Sequence, residues 1–128
     1  MAKKMFLMFN HSFSNAQEQQ ADKEFNVKKI IDMPVSLKQL WQQIPAESAT
    51  LKNHLAPFKE WLCEHGRKDD LVLIQGDFGA TYLMVIFAFE LGLLPVYATA
   101  VRKASEKIQS DGSVKMEHVF NFCRFRKY

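Results

Sequence analysis

A chain of 128 residues is the size of one compact domain. With 48% hydrophobic and 24% charged residues it is excluded from the disordered and low-complexity classes. Its two cysteines, Cys63 and Cys123, lack C-x-x-C spacing, which fits reduced thiols and argues against a disulfide framework or a zinc site. The net charge of +3 is unevenly placed: residues 1–100 carry 10 basic and 11 acidic side chains, residues 101–128 carry 7 and 3. A polyanion would be drawn to the C-terminal fifth.

The apolar run Met5–Phe9 is too short for a signal-peptide core. The longest apolar run, Ala80–Phe89, falls well short of the roughly 20 residues of a membrane span. The expectation is a soluble cytoplasmic protein with no membrane partner.

In chain order, Met5–Phe9 reads as a buried first strand, closed by Asn10-His11-Ser12. Ser14 and Gln17 have capping-box spacing and open a polar helix to about Glu24. Val27–Met33 reads as a second strand, stopped by Pro34. Ser36 and Gln39 repeat the capping-box spacing and predict a short helix. A longer helix follows on Leu51, Leu55, Phe58 and Leu62, kinked at Pro57 and ended by Gly66. Leu71–Gln75 is a parallel-strand candidate, because strands covered on both faces are continuously apolar. Gly76–Gly79 bends the chain into an apolar helix over 80–91, and Leu94–Thr99 forms the next strand. Two extended stretches, 100–109 and 114–126, flank Asp111-Gly112, a hairpin signal. The order β-α-β-α-α-β-α-β-β-β implies one α/β, Rossmann-like domain. Its sheet is mainly parallel with helices on both faces, and it ends in an antiparallel β-hairpin.

In open α/β sheets, ligands collect at the carboxyl ends of strands, near the point where strand order reverses. Two candidate segments fall there: Asn10, His11 and Ser12 after the first strand, and Gly76, Asp77, Phe78, Gly79, Ala80 and Thr81 after the third. At the second, two glycines and the small Ala80 would let a ligand approach the backbone, and a helix start favours an anion. The plainer reading is tight-turn chemistry, with Asp77 as a helix N-cap. Asp77 also argues against a pure phosphate cradle and suits a ribose hydroxyl or an adenine amino group. Asn10, His11 and Ser12 supply neutral hydrogen-bonding groups, and His11 can carry a proton near neutral pH. Alternatively they form an ordinary turn. A serine-hydrolase triad is rejected because Ser12 lacks the G-x-S-x-G elbow. His54 and His65 are expected at the surface, and no metal site is expected. Arg102 and Lys103 open the hairpin arm, and Arg124, Arg126 and Lys127 close the chain. Alternation puts Arg124 and Arg126 on one strand face with Phe120 and Phe122, and such a basic and aromatic face can hold phosphates and stack bases. The alternative is a charged, solvated edge strand. Tyr97 and Thr99 alternate on the preceding strand and can belong to the core, which makes Phe78 at the bend the better base-stacking candidate.

Four stretches carry a resemblance: Phe6-Leu-Met-Phe-Asn-His-Ser12, Val72-Leu-Ile-Gln-Gly-Asp-Phe-Gly-Ala-Thr-Tyr-Leu-Met-Val85, Leu94-Pro-Val-Tyr-Ala-Thr99 and Arg124-Phe-Arg-Lys-Tyr128. Together they resemble a small stand-alone, Csx-type CRISPR-associated family that accompanies type III CRISPR systems. That family is similar to CARF-type ring nucleases, which bind cyclic oligoadenylate second messengers and linearise them. The resemblance implies a metal-independent enzyme acting on cyclic tetra-adenylate and switching off the antiviral signal. No cofactor is expected, and a homodimer is, because a two-fold pair would present the same site twice around such a ring. No DNA partner is expected. Fitted to that chemistry, the candidate residues take expected roles. Gly76, Gly79, Ala80 and Thr81 would receive a phosphate. Asn10, His11 and Ser12 would position the reacting ribose and phosphate, with His11 moving the proton. Asp77 would bond a 2′-hydroxyl or adenine, and Arg102, Lys103 or Arg124 would reach over the charge. The competing expectations are a binder that sequesters the messenger without cutting it, and a mononucleotide- or RNA-binding α/β protein.

Overall fold

A computed structural model describes all residues, 1–128. The elements are β1 (Lys3–Met8), α1 (Asn15–Phe25), β2 (Val27–Asp32), α2 (Val35–Gln42), α3 (Lys52–His65), β3 (Leu71–Ile74), α4 (Phe78–Glu90), β4 (Leu94–Ile108) and β5 (Val114–Lys127). They form an α/β fold around a mixed five-stranded sheet of order β2-β1-β3-β4-β5. The first three pairings are parallel and β4–β5 is antiparallel.

Burial explains the order. Residues 5–8 of β1 and all of β3 are buried, as continuous apolar runs flanked by strands on both sides must be. Successive side chains alternate between two cores. Met5, Leu7, Leu71, Leu73 and Val96 face α1, where Ala21 and Phe125 join them. Phe6, Met8, Val72 and Ile74 face the other way, into Trp41 of α2, Phe58 and Leu62 of α3, and Met84 of α4. One helix therefore covers one face and three cover the other. No helix is long and apolar enough to cross a membrane.

Local signals hold in part. Ser14 caps α1 in a full capping box with Gln17. The second expected capping box does not form. Helix α2 begins at Val35, directly after Pro34, whose fixed φ suits a helix entry, so Ser36 already lies inside the first turn. Helix α3 runs unbroken through Pro57, and Gly66 takes its C-cap position. The sixth expected strand is absent as a separate element. Residues 94–108 are one strand, paired with β5 across a register shift at Thr99/Ala100. Beyond that shift the two strands form an arm with no helix on either side, turning at Gly112 with φ +85. In the turn, the Ser113 hydroxyl (2.5 Å) and amide (2.9 Å) donate to Asp111 and hold its carboxyl below the usual range. Cys63 and Cys123 are free and exposed.

One buried carboxylate joins the lower ends of β1 and β3. Asp70 accepts from the Lys4 amide at 3.0 Å and from the Arg67 amide at 2.9 Å, with the Lys4 ammonium 3.6 Å away. Removing it strands two amide donors, each costing about 1–3 kcal/mol when buried without a partner. Asp70→Ala is expected to lower unfolding free energy by about 2–4 kcal/mol in urea titrations. A loss below about 1 kcal/mol would show that water replaces the carboxylate freely.

Candidate functional site

The chain runs from β1 outward to β2, then crosses back over β1 to place β3 on its other side. Strand order therefore reverses between β1 and β3, the position where α/β sheets bind ligands. Both expected segments leave the sheet there. Met8 pairs with Ile74, and one residue further the Gln75 amide donates to the Met8 carbonyl at 3.0 Å. The tip carrying Asn10–Ser12 and the bend at Gly76 thus emerge side by side.

They do not share one cleft within the chain. Asn10, His11 and Ser12 are exposed and line a cleft of about 490 Å³ with Glu18 of α1, Asp32 at the end of β2, and Lys38 and Gln42 of α2. The His11 ring meets Phe9 edge-on at 6.2 Å. Lys38 is the basic residue of this cleft, and its ammonium sits 2.5 Å from the Asp32 carboxylate. A second cleft of about 630 Å³ lies between the α2–α3 connection and the start of α4. It contains Ser48, Thr50, Lys52 and Lys59 together with Asp77 and Gly79.

The residues after β3 divide into different jobs. The missing side chain of Gly76 makes room for protein, because a Cβ there would stand 2.8 Å from the Trp41 indole nitrogen. That glycine therefore accommodates Trp41, whose N–H donates to the Gln75 carbonyl at 3.0 Å. Ala80 is fully buried in the core, and its amide is taken at 3.0 Å by Asp77, the N-cap of α4. The expected phosphate cradle is thus partly filled by the helix's own carboxylate. Gly79 is different: a Cβ there would make only ordinary contacts, 3.5 Å or more, so its openness faces the second cleft. Phe78 is almost wholly exposed beside it. The Thr81 hydroxyl is buried without a hydrogen-bond partner.

The basic residues scatter. Arg124 is held by Glu24 at the end of α1. The register shift opposite Cys123 also breaks the expected alternation: Phe122 and Phe125 both pack on the α1 side, rings 5.0 Å apart. Arg124 and Arg126 therefore do not share a face with Phe120 and Phe122. Arg102 stacks 5.9 Å over Phe120 on the arm, and Lys103 pairs with Val119 on the arm's other face. Arg102 lies five residues past Tyr97, about 16 Å along the strand at ~3.3 Å per residue. It joins neither cleft of its own chain.

Sequence reading missed Asp32, Lys38 and Gln42, although Asp32 ends a parallel strand and the carboxyl-end rule already pointed to it. It named Arg126 as a phosphate-holding candidate but missed its pairing with Tyr97, and it missed the role of Tyr128. The Arg126 guanidinium donates to the Tyr97 hydroxyl at 3.0 Å, and the Tyr97 and Tyr128 rings lie 4.9 Å apart. The Tyr128 hydroxyl donates to the Ile74 carbonyl, tying the end of β5 to the tip of β3.

These features define an α/β protein with two open clefts beside its strand-order reversal. The chain belongs to the family described as the Uncharacterized protein MJ1673 family, whose pattern it matches over residues 3–126. It is similar to the Uncharacterized protein MJ1673 of Methanocaldococcus jannaschii, 45% identical over 125 residues that cover 98% of this chain and 96% of that one. No solved structure matches.

Burial, with Tyr97 beside it, pushes the Tyr128 phenol above the ordinary tyrosine pKa. A pKa higher in the folded than in the unfolded chain stabilises the fold fully below the unfolded value of about 10, and that stability is lost as pH rises through the folded value. Wild-type stability is therefore expected to decline above pH ~10 more steeply than that of Tyr128→Phe, measured by urea unfolding across pH. Parallel curves would contradict the contact that partly buries the phenol.

Proposed function

We propose that this chain is a metal-independent ring nuclease that binds and linearises a cyclic oligoadenylate, cyclic tetra-adenylate first. In this reading the domain is Rossmann-like and CARF-type, works in the cytoplasm as a homodimer, and switches off type III CRISPR antiviral signalling. The observation that carries the reading is the Gln75-to-Met8 hydrogen bond, which sets the imidazole-bearing tip beside the glycine bend at the strand-order reversal. Support comes also from the resemblance and from the order β2-β1-β3-β4-β5, the order of one common doubly wound fold.

The chemistry needs little beyond positioning. A ribose 2′-oxygen attacks its adjacent phosphorus, the bond to the 5′-oxygen breaks, and a 2′,3′-cyclic phosphate and a 5′-hydroxyl result. His11 accepts the 2′-hydroxyl proton, the leaving 5′-oxygen takes a proton from water, and the imidazolium returns its proton to the hydroxide left behind. Holding attacking oxygen, phosphorus and leaving oxygen in line supplies up to ~7–11 kcal/mol in well-oriented cases. Asn10 and Ser12 donate to or accept from the ribose and phosphate. Lys38, released from Asp32, is the cation that lines the same cleft as that tip, and the free amides of Phe78 and Gly79 remain as donors on the other side. Asp77, already turned into its own helix, accepts from a hydroxyl or an adenine amino group with its remaining lone pairs.

The test is incubation with cyclic oligoadenylates of three to six units in excess chelator, products resolved by chromatography. The expected result is linear product ending in a 2′,3′-cyclic phosphate, with His11→Ala slowed about 10²-fold or more. Stoichiometric depletion without linear product would mean sequestration. Strict dependence on added divalent metal would overturn the metal-free step.

A further inference from the structure

We propose that the outer face of α4 is a seam against the same face of a second copy of this chain, the two helices parallel about a two-fold axis. The proposal rests on the two-copy part of the reading above and gives it a surface. Helix α4 holds one charged residue in 13, Glu90 at its last position, and is apolar around its whole circumference. A helix of that kind is covered on both sides. Here the sheet covers only one: Ala80, Met84 and Ala88 are buried, while Phe78, Tyr82, Ile86 and Phe89 line the opposite side. At 100° per residue those four fall within a single narrow stripe.

Their exposures, 94%, 66%, 39% and 52%, leave on the order of 500 Å² of apolar surface, taking ~150–250 Å² per large side chain. That is near the upper end of the largest apolar patch on a typical monomer. A standard interface buries about 800 Å² on each side, of which roughly 56–65% is apolar. The stripe therefore supplies about the apolar core of one side of such an interface. Nothing in the stripe carries a charge that would select an oppositely charged partner, and a two-fold contact of the stripe with itself opposes no like charges. An isologous contact is the arrangement in which one such surface satisfies both molecules.

Orientation follows from the site. Helix α4 begins at the Gly76–Asp77 bend, so only a parallel pair brings both bends to the same end, where one closed ring can touch both. In a parallel pair each stripe residue faces its own counterpart. In an antiparallel pair only the residue at the axis does so.

Three measurements test this. Light scattering on the nucleotide-free protein should give twice the 14.8 kDa of one chain. Ile86→Glu should halve that mass while leaving a folded chain with an unchanged far-ultraviolet spectrum and a cooperative melt, at a lower midpoint because the partner no longer stabilises it. Ile86 is partly exposed and lies well along α4 from both strand tips. In a Cys63→Ser, Cys123→Ser background, Ile86→Cys and Phe89→Cys should each form disulfide-linked dimers on mild oxidation, since two Cα atoms within ~7 Å can be bridged. A monomeric wild type, a folded Ile86→Glu that stays dimeric, or a dimer in which Phe89→Cys fails to link to itself would each overturn the proposal. Because these readouts use no nucleotide, failure of the seam and failure of ring cleavage are seen separately.

Discussion

The site depends on how β3 ends. At Gln75 the chain leaves the sheet, and this one residue is fastened in three directions: its amide to Met8, its carbonyl to the Trp41 indole and its side-chain oxygen to the Ala98 amide, each at 3.0 Å. The Tyr128 hydroxyl adds a fourth tie through Ile74. β1, α2, β4 and β5 are thereby referred to the same point, and the two candidate tips inherit their spacing from it. A net contribution of about 1 kcal/mol per hydrogen bond is modest for stability. For position it is decisive, because the bend cannot shift without breaking ties to several elements at once.

Much of this frame could be read from the chain, and the reason is burial. β1 and β3 sit between neighbours with helices on both faces, so they had to be unbroken apolar runs, and Met5–Phe9 and Leu71–Ile74 announce themselves. What stayed hidden depends on partners far along the chain. Gly76 reads as a place for a ligand until Trp41, 35 residues earlier, is seen occupying that space. Arg124 reads as one of a basic row until the register shift and Glu24 take it away. The arm looks like a strand followed by a separate hairpin because its composition turns polar at Arg102. The backbone ladder does not stop there, since the pairing is carried by β5 rather than by a buried face.

The electrostatics set the terms for any anion. Asp77 occupies the strongest donor position at the start of α4, and Lys38 is neutralised by Asp32. A phosphate must therefore compete for Lys38 and accept the remaining amides, which favours a ligand that offers hydroxyl and amino groups to the carboxylates as well as charge to the cation. A nucleotide has all three, and a bare phosphate has one. The arm's Arg102 and Lys103 stand too far along β4 to help within one chain, so any part they take belongs to an assembly of chains.

The most direct test of the central claim is a titration of isotopically labelled protein with cyclic tetra-adenylate, followed by amide NMR shifts. The account predicts that residues 10–12 and residues 78–81 move together, at the same ligand concentration, while AMP moves them weakly. Shifts confined to one tip, or to the arm alone, would show that the adjoining strand ends are not one site.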